Sequence, residues 1–311
     1  MKKVLLIGQL TDISGYGNAV RCYLSNLASL HDKKKINLSV LNFAFEKEIQ
    51  ISEDELQQIK RFSLTEDLSC KRGSYSEQDL EKIKDFTKSD YQVVFFLLND
   101  WLASGNQVDD IEFNSMVNLN YVCKKANKVH PCVVWESNKA PDVWLQSYKN
   151  LNIGKLICAC SWNKESFQDY HDSIVIPYSI SFLDDYDKPY YEKINKVVKD
   201  KFTFCSIFQW SERKGVEKMI TSFCLEFYNN PDVCLILKTY INKAMSQRDE
   251  VATLSEEVQK IKNKILHNGK NVEIKCKIII INDILDKKKI NSIYKASDAY
   301  LSCTKGEGFG L

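Results

Sequence analysis

Short, unbroken apolar runs alternate with amphipathic helical patterns along most of this 311-residue sequence. A strand that is apolar on both sides must be covered on both sides, and helices that separate such strands act as crossovers in parallel sheets. The pattern therefore predicts an α/β fold built on parallel sheets. The strand candidates of the first part of the chain are Val4–Ile7, Leu38–Phe43, Val93–Leu98, Cys132–Trp135, Leu156–Ala159 and Ile174–Ile176.

A second series of the same kind follows a polar stretch. It predicts strands and helices at Phe202–Phe208, Glu217–Tyr228, Val233–Thr239, Ala244–Leu266, Lys277–Ile281, Lys287–Lys295 and Ala299–Cys303. We therefore expect an N-terminal domain at 1–180, a hinge at 181–200 and a C-terminal domain at 201–311. Residues 46–90 are highly charged with helical periodicity, which predicts a surface insertion in the first domain.

Composition excludes several classes of protein. The net charge of +2 does not favour nucleic acid. The 11 cysteines show neither CxxC nor zinc-ligand spacing, and many lie in apolar runs, which indicates reduced core thiols in a cytoplasmic protein. The apolar run after Met1 is too short for a signal peptide, and no run approaches the ~18–20 apolar residues needed to span a bilayer.

The first candidate site is the turn after the first predicted strand, which contains Gly15 and Gly17 and opens onto a helix. A glycine loop aimed at a helix N-terminus suits an anion. The NAD fingerprint fits badly, because Val20 occupies its third small position and Asn42 stands at the end of the second strand without an acid for a ribose. A Walker A motif is excluded because no GK[ST] follows, and an ordinary tight βα turn is the alternative.

A second cluster follows the predicted strand Cys132–Trp135. Glu136 there would bind a hydroxyl or act as a base, with Trp135 and Trp144 as flat apolar surfaces. The alternative is a capping carboxylate beside two core tryptophans. Asp100 ends the preceding strand in a similar way, with a weaker signal.

Two further sites lie in the second series. Arg213 and Lys214 precede Gly215 at the entry to a helix, where a bidentate fork and a point charge suit a diphosphate, although a solvated basic turn is the alternative. At the end of the sequence, Glu307 is the only charge in Gly306–Leu311. The glycines around it let a ligand approach the backbone closely.

Together these four sites resemble the retaining family-4 group of GT-B glycosyltransferases. Members of that group carry an N-domain glycine loop, an Arg-Lys-Gly turn, and a glutamate–seven residues–glutamate motif that often begins Glu-Gly-Phe-Gly-Leu. Arg213–Gly215 and Glu307–Leu311 match the last two features. The resemblance implies two Rossmann-like domains with parallel sheets facing across a cleft, with the acceptor on the first and the nucleotide-sugar on the second.

The resemblance also implies a donor site. It would place Arg213 and Lys214 on the donor diphosphate and Glu307 on hydroxyls of the transferred sugar, while backbone amides near the end of the loop reach the sugar or the phosphate. The implied donor-binding residues are Gly15, Gly17, Arg213, Lys214, Gly306, Glu307, Gly308, Phe309, Gly310 and Leu311.

On the acceptor side the resemblance implies Glu136, and the residue pattern at the strand ends adds Trp135, Trp144 and Asp100. The implied catalytic residues are Glu307, Lys214 and Glu136. The expected reaction is hexosyl transfer from a nucleotide-sugar to a glycan, a lipid-linked sugar or another hydroxyl acceptor, with retention at the anomeric carbon. No cofactor or metal is expected, and peripheral association with a membrane is compatible with such acceptors.

Two departures from the family pattern change these expectations. Phe208 and Gln209 stand where the family often has an additional arginine, so the diphosphate would be neutralised differently. The second glutamate of the motif would fall past Leu311, so we expect the sequence to stop inside the donor motif and the second domain to be incomplete. A GT-B-fold nucleotide-sugar epimerase and a non-catalytic sugar- or nucleotide-binding module remain alternatives.

Overall fold

The computed structural model describes two compact units. They comprise Met1–Ile180 with Glu307–Leu311, and Ser181–Gly306. The expected second domain, 201–311, therefore differs from the second unit at both ends. The described residues are 1–43, 51–68, 75–96, 121–140, 142, 151–179, 185–241, 246–267, 270–271, 273–307 and 309.

The first unit contains a parallel sheet of six strands in the order β2-β1-β3-β4-β5-β6. In register, Leu6 of β1 lies between Val40 and Val94 on its two neighbours. The strands are β1 (Lys2–Gly8), β2 (Ile36–Asn42), β3 (Gln92–Phe96), β4 (Lys128–Val133), β5 (Leu156–Cys158) and β6 (Ser173–Val175).

The two faces of this sheet bury alternate residues of β1. Leu5 and Ile7 belong to one hydrophobic cluster, and Leu6 belongs to the other. This confirms that the unbroken apolar runs are strands covered on both sides. β4 begins four residues before its predicted start, because Lys128 and His130 interrupt the apolar pattern from which the strand was predicted. The described helices of this unit are α1 (Gly15–Asp32), α2 (Glu53–Phe62), α3 (Glu77–Phe86) and α4 (Ser161–Ser166).

The charged segment at 46–90 is helical where the structure describes it, but it also contributes to the core. Ser52 caps α2 in a capping box with Glu55, which explains why the helix starts there. Ile59 and Phe62 are buried in the same cluster as Leu6. The charges of α2 thus form the outer face of a helix that packs on the sheet.

The second unit contains a four-stranded parallel sheet in the order β11-β8-β7-β12. A small antiparallel hairpin, β9 with β10, was not predicted. The strands are β7 (Phe202–Gln209), β8 (Val233–Tyr240), β9 (Leu266–His267), β10 (Lys270–Asn271), β11 (Lys277–Ile281) and β12 (Ala299–Tyr300). The helices are α5 (Lys188–Val198), α6 (Val216–Phe227), α7 (Gln247–Asn263) and α8 (Lys287–Lys295).

The helix α5 occupies most of the segment 181–200, where the sequence predicts a hinge. Asp187 caps this helix by accepting from the amide of Tyr190 at 2.8 Å. Ile194 and Val198 are buried in a cluster with Cys205 of β7. The buried stripe of this helix is narrow and lies among lysines, so the sequence of an amphipathic helix looked like a polar linker.

The cysteines of the described residues are free thiols, and most of them are buried, in agreement with the prediction of core thiols. In the same part of the chain, no helix combines the length and apolarity that a membrane span requires.

Candidate functional site

The basic turn of the second unit lies directly after β7. A short 3-10 turn holds Glu212–Lys214, and Gly215 then takes a left-handed conformation with φ of 65° before α6 begins. Arg213 is exposed and Lys214 is half-buried. A left-handed residue between the two helical segments needs glycine, because a Cβ would meet the backbone.

The segment after β12 packs on this turn. The amide of Lys305 donates to the Arg213 carbonyl at 2.8 Å, and Arg213 Nη1 donates to the Gly306 carbonyl at 2.6 Å. Thr304 Oγ1 also donates to the Gly306 carbonyl, at 3.0 Å. The structure therefore joins two of the predicted donor-site elements, the basic turn and the start of the terminal loop.

Gly215 also has a packing reason to be glycine. A Cβ built on it would lie 2.2 Å from the carbonyl oxygen of Cys303. The turn and the segment after β12 are thus in backbone contact, and no side chain fits between them.

The strand order explains why these two segments meet. The chain passes from β7 to β8 and β11 on one side, whereas β12 pairs with β7 on the other side. The carboxyl ends of β7 and β12 therefore flank the point where the strand order reverses. Ligands of open α/β sheets bind in the crevice at this point.

The salt bridge between Glu212 and Lys305 lies on the surface of the same turn. Lys305 Nζ is 2.7 Å from Glu212 Oε1, and the hydrogen bond from this lysine lowers the pKa of Glu212. Both side chains are largely exposed, so we assign the pair little stability.

In the first unit, the loop after β1 also lies where the strand order reverses, between β1 and β3. Asn42, at the end of β2, holds this loop. Its Oδ1 accepts from the amides of Leu10 and Thr11, and its Nδ2 donates to the Leu68 carbonyl. In the sequence, Asn42 stands where a ribose-binding site would need an acid, whereas in the structure its hydrogen bonds fix this loop.

Arg21 is a second residue that sequence reasoning missed. It is buried on α1, and its Nη1 donates to the carbonyls of Leu10 and Asp12 at 2.8 and 2.7 Å. Its Nε pairs with Glu55 Oε1 at 2.9 Å. A buried arginine needs such partners, so the signal in the sequence was a cation on the apolar side of a predicted helix.

The two predicted glycines of this loop have different environments. Both belong to the first turn of α1, which Ser14 caps by accepting from the Gly17 amide. A Cβ on Gly17 would lie 1.9 Å from the Asp12 carbonyl oxygen, whereas a Cβ on Gly15 would meet nothing within 4 Å. Gly17 is therefore explained by packing within the loop, and only Gly15 leaves open space at the helix N-terminus.

The segment from Trp135 to Ala140 follows β4 and is held by α4. Asn163 Nδ2 donates to the Trp135 carbonyl at 2.9 Å, and Ser166 Oγ donates to the Ser137 carbonyl at 3.0 Å. The Trp135 indole donates to the Lys139 carbonyl and packs against the core. Trp135 thus contacts the core, and Glu136 is half-buried beside it.

The remaining predicted site residues are only partly described. Glu307 is half-buried, and both Glu307 and Phe309 group with the first unit. The ring centroid of Phe309 lies 4.8 Å from that of Tyr178 in an edge-on contact. The predicted residues outside the described part of the chain are Asp100, Trp144, Gly308, Gly310 and Leu311.

Neither a family model nor a curated protein matches the sequence significantly. Solved structures do match. HepE from Anabaena in complex with UDP and glucose has a TM-score of 0.56 at 12% identity, covering 100% of this chain and 76% of its own. An α,α-trehalose-phosphate synthase (UDP-forming) from Burkholderia vietnamiensis has a TM-score of 0.56 at 10% identity, with coverage of 99% and 79%.

A third match is the N-terminal domain of the Candida albicans trehalose-6-phosphate phosphatase, with a TM-score of 0.54 at 10% identity and coverage of 98% and 79%. Identities this low carry the fold and not the activity. With its two parallel sheets, the chain has the α/β GT-B fold that the sequence predicted.

Proposed function

We propose that this chain is a retaining glycosyltransferase that takes a sugar from a nucleotide-sugar donor, of the type found in the family-4 group. The observation that carries the proposal is the joining of the Arg213 turn to the Thr304–Gly306 segment where the strand order of the second unit reverses. A cationic turn at the carboxyl edge of a parallel sheet is suited to a diphosphate.

The proposed chemistry needs charge stabilisation at the leaving group. The bond between the anomeric carbon and the donor phosphate breaks, and a bond to the acceptor oxygen forms on the same face of the sugar. The acceptor proton passes to the leaving phosphate. Arg213 and Lys214 would stabilise the negative charge that develops on the diphosphate, and Glu307, the residue after Gly306, would hold sugar hydroxyls.

UDP is the first donor nucleotide to test. HepE from Anabaena was crystallised with UDP and glucose and also with UDP-glucose, and it shares the fold of this chain. We extend that ligand class to this protein as a proposal. Glu136 is proposed for the acceptor side because it follows β4 at the carboxyl edge of the first sheet.

We also propose that the reaction needs no metal or cofactor and that the acceptor is a glycan or a lipid-linked sugar. The proposed location of the protein is the cytoplasm, with peripheral association with a membrane.

The direct test has two stages. Isothermal calorimetry with UDP, GDP and ADP measures donor-nucleotide binding, and Lys214→Ala should weaken the tightest of the three by about tenfold or more. Nucleotide release from the corresponding nucleotide-sugar is then measured with a panel of glycan acceptors. Release that depends on acceptor supports transfer, and normal turnover by Lys214→Ala would contradict the site.

Two other functions use the same fold. An epimerase would release nucleotide or convert the donor without any acceptor, so acceptor dependence separates it from a transferase. A non-catalytic binding module would bind the nucleotide and release nothing. The similar N-terminal domain of the Candida albicans protein belongs to a protein named as a phosphatase. This match supports the second alternative, because the name of that protein gives an activity other than sugar transfer.

A further inference from the structure

Lys238 occupies an unusual position for a lysine. It lies near the carboxyl end of β8, between Ile207 of β7 and Ile281 of β11 in the register of the sheet. Only 8% of the residue is exposed. Burial lowers the pKa of Lys238, and the charges of Asp283 and Glu250 oppose this effect. An ammonium group in such surroundings is costly unless something compensates its charge.

No described residue supplies Lys238 with a hydrogen bond or an ion pair. Its contact with an aromatic ring is weaker: the ammonium group lies over the ring of Tyr240, with Nζ 5.8 Å from the ring centroid. The two neighbouring carboxylates bind other groups: Glu250 Oε1 accepts from the amide of Ile241, and Asp283 Oδ1 accepts from Gln247 Nε2 at 2.8 Å. Three N–H donors of Lys238 thus remain for a ligand.

A second observation comes from the next residue. Thr239 is fully buried on the opposite face of β8, and its Oγ1 has no hydrogen-bond partner in the described structure. Buried polar side chains are nearly always hydrogen-bonded, so two consecutive exceptions at one strand end are informative. Of the two, only Lys238 is accessible to a ligand at the carboxyl edge, because Thr239 is fully buried on the other face.

The end of β8 adjoins the basic turn. Gln209 of β7 pairs with Tyr240 of β8, and the amide of Trp210 donates to the Tyr240 carbonyl at 2.8 Å. Lys238 therefore lies on β8, the strand that pairs with β7, and β7 leads into Arg213 and Lys214. Both places are at the carboxyl edge of the sheet. That edge is where ligands of parallel sheets bind.

We propose that Lys238 is a third diphosphate-binding cation, supplied by the neighbouring strand β8 and acting alongside the basic turn. The inference rests on the proposed function, because it assigns a further contact to the same nucleotide. Lys238 would bind the phosphates of the ligand. It would not contribute to the affinity for the nucleoside.

Ligand dissection tests the inference. Calorimetry compares the tightest-binding diphosphate of UDP, GDP and ADP with its monophosphate and its nucleoside, for wild type, Lys238→Met and Lys277→Met. Methionine keeps the length and apolar character of the lysine stem. Lys277 is the matched control, because it lies at the opposite, amino end of the neighbouring strand β11 and is exposed.

We expect Lys238→Met to weaken the diphosphate about 10- to 100-fold and to leave the affinity for the nucleoside unchanged, while Lys277→Met behaves as wild type. Equal affinity of Lys238→Met and wild type for the diphosphate would overturn the inference. So would an equal loss for diphosphate and nucleoside, which indicates a structural role. Failure of wild type to bind any of the three diphosphates would overturn the proposed function as well.

A measurement on the unmodified protein covers the case in which Lys238→Met does not fold. Reductive methylation of the lysines is followed by peptide mass spectrometry, with and without saturating diphosphate. The diphosphate should slow the methylation of Lys238 at least several-fold and leave Lys277 unchanged, whereas the nucleoside should protect neither. Methylation of Lys238 at the same rate with and without diphosphate would refute the assignment.

Discussion

Arg213 Nη1 donates a 2.6 Å hydrogen bond to the carbonyl oxygen of Gly306, across 93 positions of sequence. The amide of Lys305 donates back to the Arg213 carbonyl. The residue that was expected only to meet a phosphate therefore also holds the start of the terminal loop. A substitution of Arg213 changes both the positive charge that faces the ligand and the anchoring of the loop. The two effects must be separated.

Arg213→Lys separates them, because lysine keeps the positive charge and loses the planar fork. We expect nucleoside-diphosphate affinity to fall by about tenfold, since the loop loses its side-chain anchor while the charge remains. Calorimetry measures the change, and Lys218→Ala on the exposed face of α6 serves as control. Unchanged affinity in Arg213→Lys would show that the bond to Gly306 is dispensable.

Gly215→Ala should disrupt the same place through the backbone. The left-handed conformation alone costs a non-glycine residue about 1–2 kcal/mol, and the contact with Cys303 adds to this. We expect a lower free energy of unfolding in urea and weaker nucleotide binding. Gly215→Asn tolerates the left-handed conformation better but keeps the clash. Recovery of wild-type stability in Gly215→Asn would mean that the close contact with Cys303 is not limiting.

The glycines of the first loop provide a matched pair. Gly17→Ala should destabilise the protein, because its Cβ would overlap the Asp12 carbonyl. Gly15→Ala should be neutral or stabilise by up to about 1 kcal/mol, since alanine favours the helix and meets nothing. Thermal unfolding of the two variants checks both signs. Equal effects would show that the loop rearranges freely around α1.

The pair of Arg21 and Glu55 predicts a pH dependence of stability. Burial tends to raise the pKa of Glu55, but Arg21 and the Ser52 hydrogen bonds outweigh it, so the pKa lies below its usual 4.5. A depressed folded-state pKa contributes stability that is present above 4.5 and is lost as pH falls through the folded-state value. Glu55→Gln should therefore be less stable than wild type at pH 7.

Urea unfolding of wild type and Glu55→Gln from pH 7 to pH 3 measures this contribution. The difference between the two proteins should shrink as the pH falls below about 4.5. Arg21→Ala should cost about 3 kcal/mol at pH 7, because it removes the ion pair with Glu55 and the buried hydrogen bond to the Leu10 carbonyl. A pH-independent difference for Glu55→Gln would exclude ionisation of this carboxyl as its source.

Much of the fold was predictable because burial on both faces leaves a simple trace in sequence. β11 and α8 lie where the apolar pattern placed them, at Lys277–Ile281 and Lys287–Lys295. α5 was missed because a helix with one narrow buried stripe and many lysines has the composition of a linker. Its packing partners, such as Cys205, come from a later strand and could not be read locally.

The candidate site was predictable only where residues are close in sequence. The basic turn was found as a local pattern, but the roles of Asn42 and Arg21 depend on contacts with a loop that lies 32 and 9 positions away, respectively. Lys238 carried no local signal, because a lysine at the end of an apolar run usually reaches solvent. Its burial results from the neighbouring strands β7 and β11, which lie on either side of it in the sheet.

The backbone contact between Gly215 and Cys303 limits how this protein can be recombined with its structural relatives. A chimera that takes the turn at 213–215 from one parent and the segment at 303–306 from another would combine surfaces never fitted to each other. With a Cβ at 215 only 2.2 Å from a carbonyl, even one added methyl group is enough to separate them. Crossover points outside 213–306 keep both stretches from a single parent, and productive chimeras should be found there.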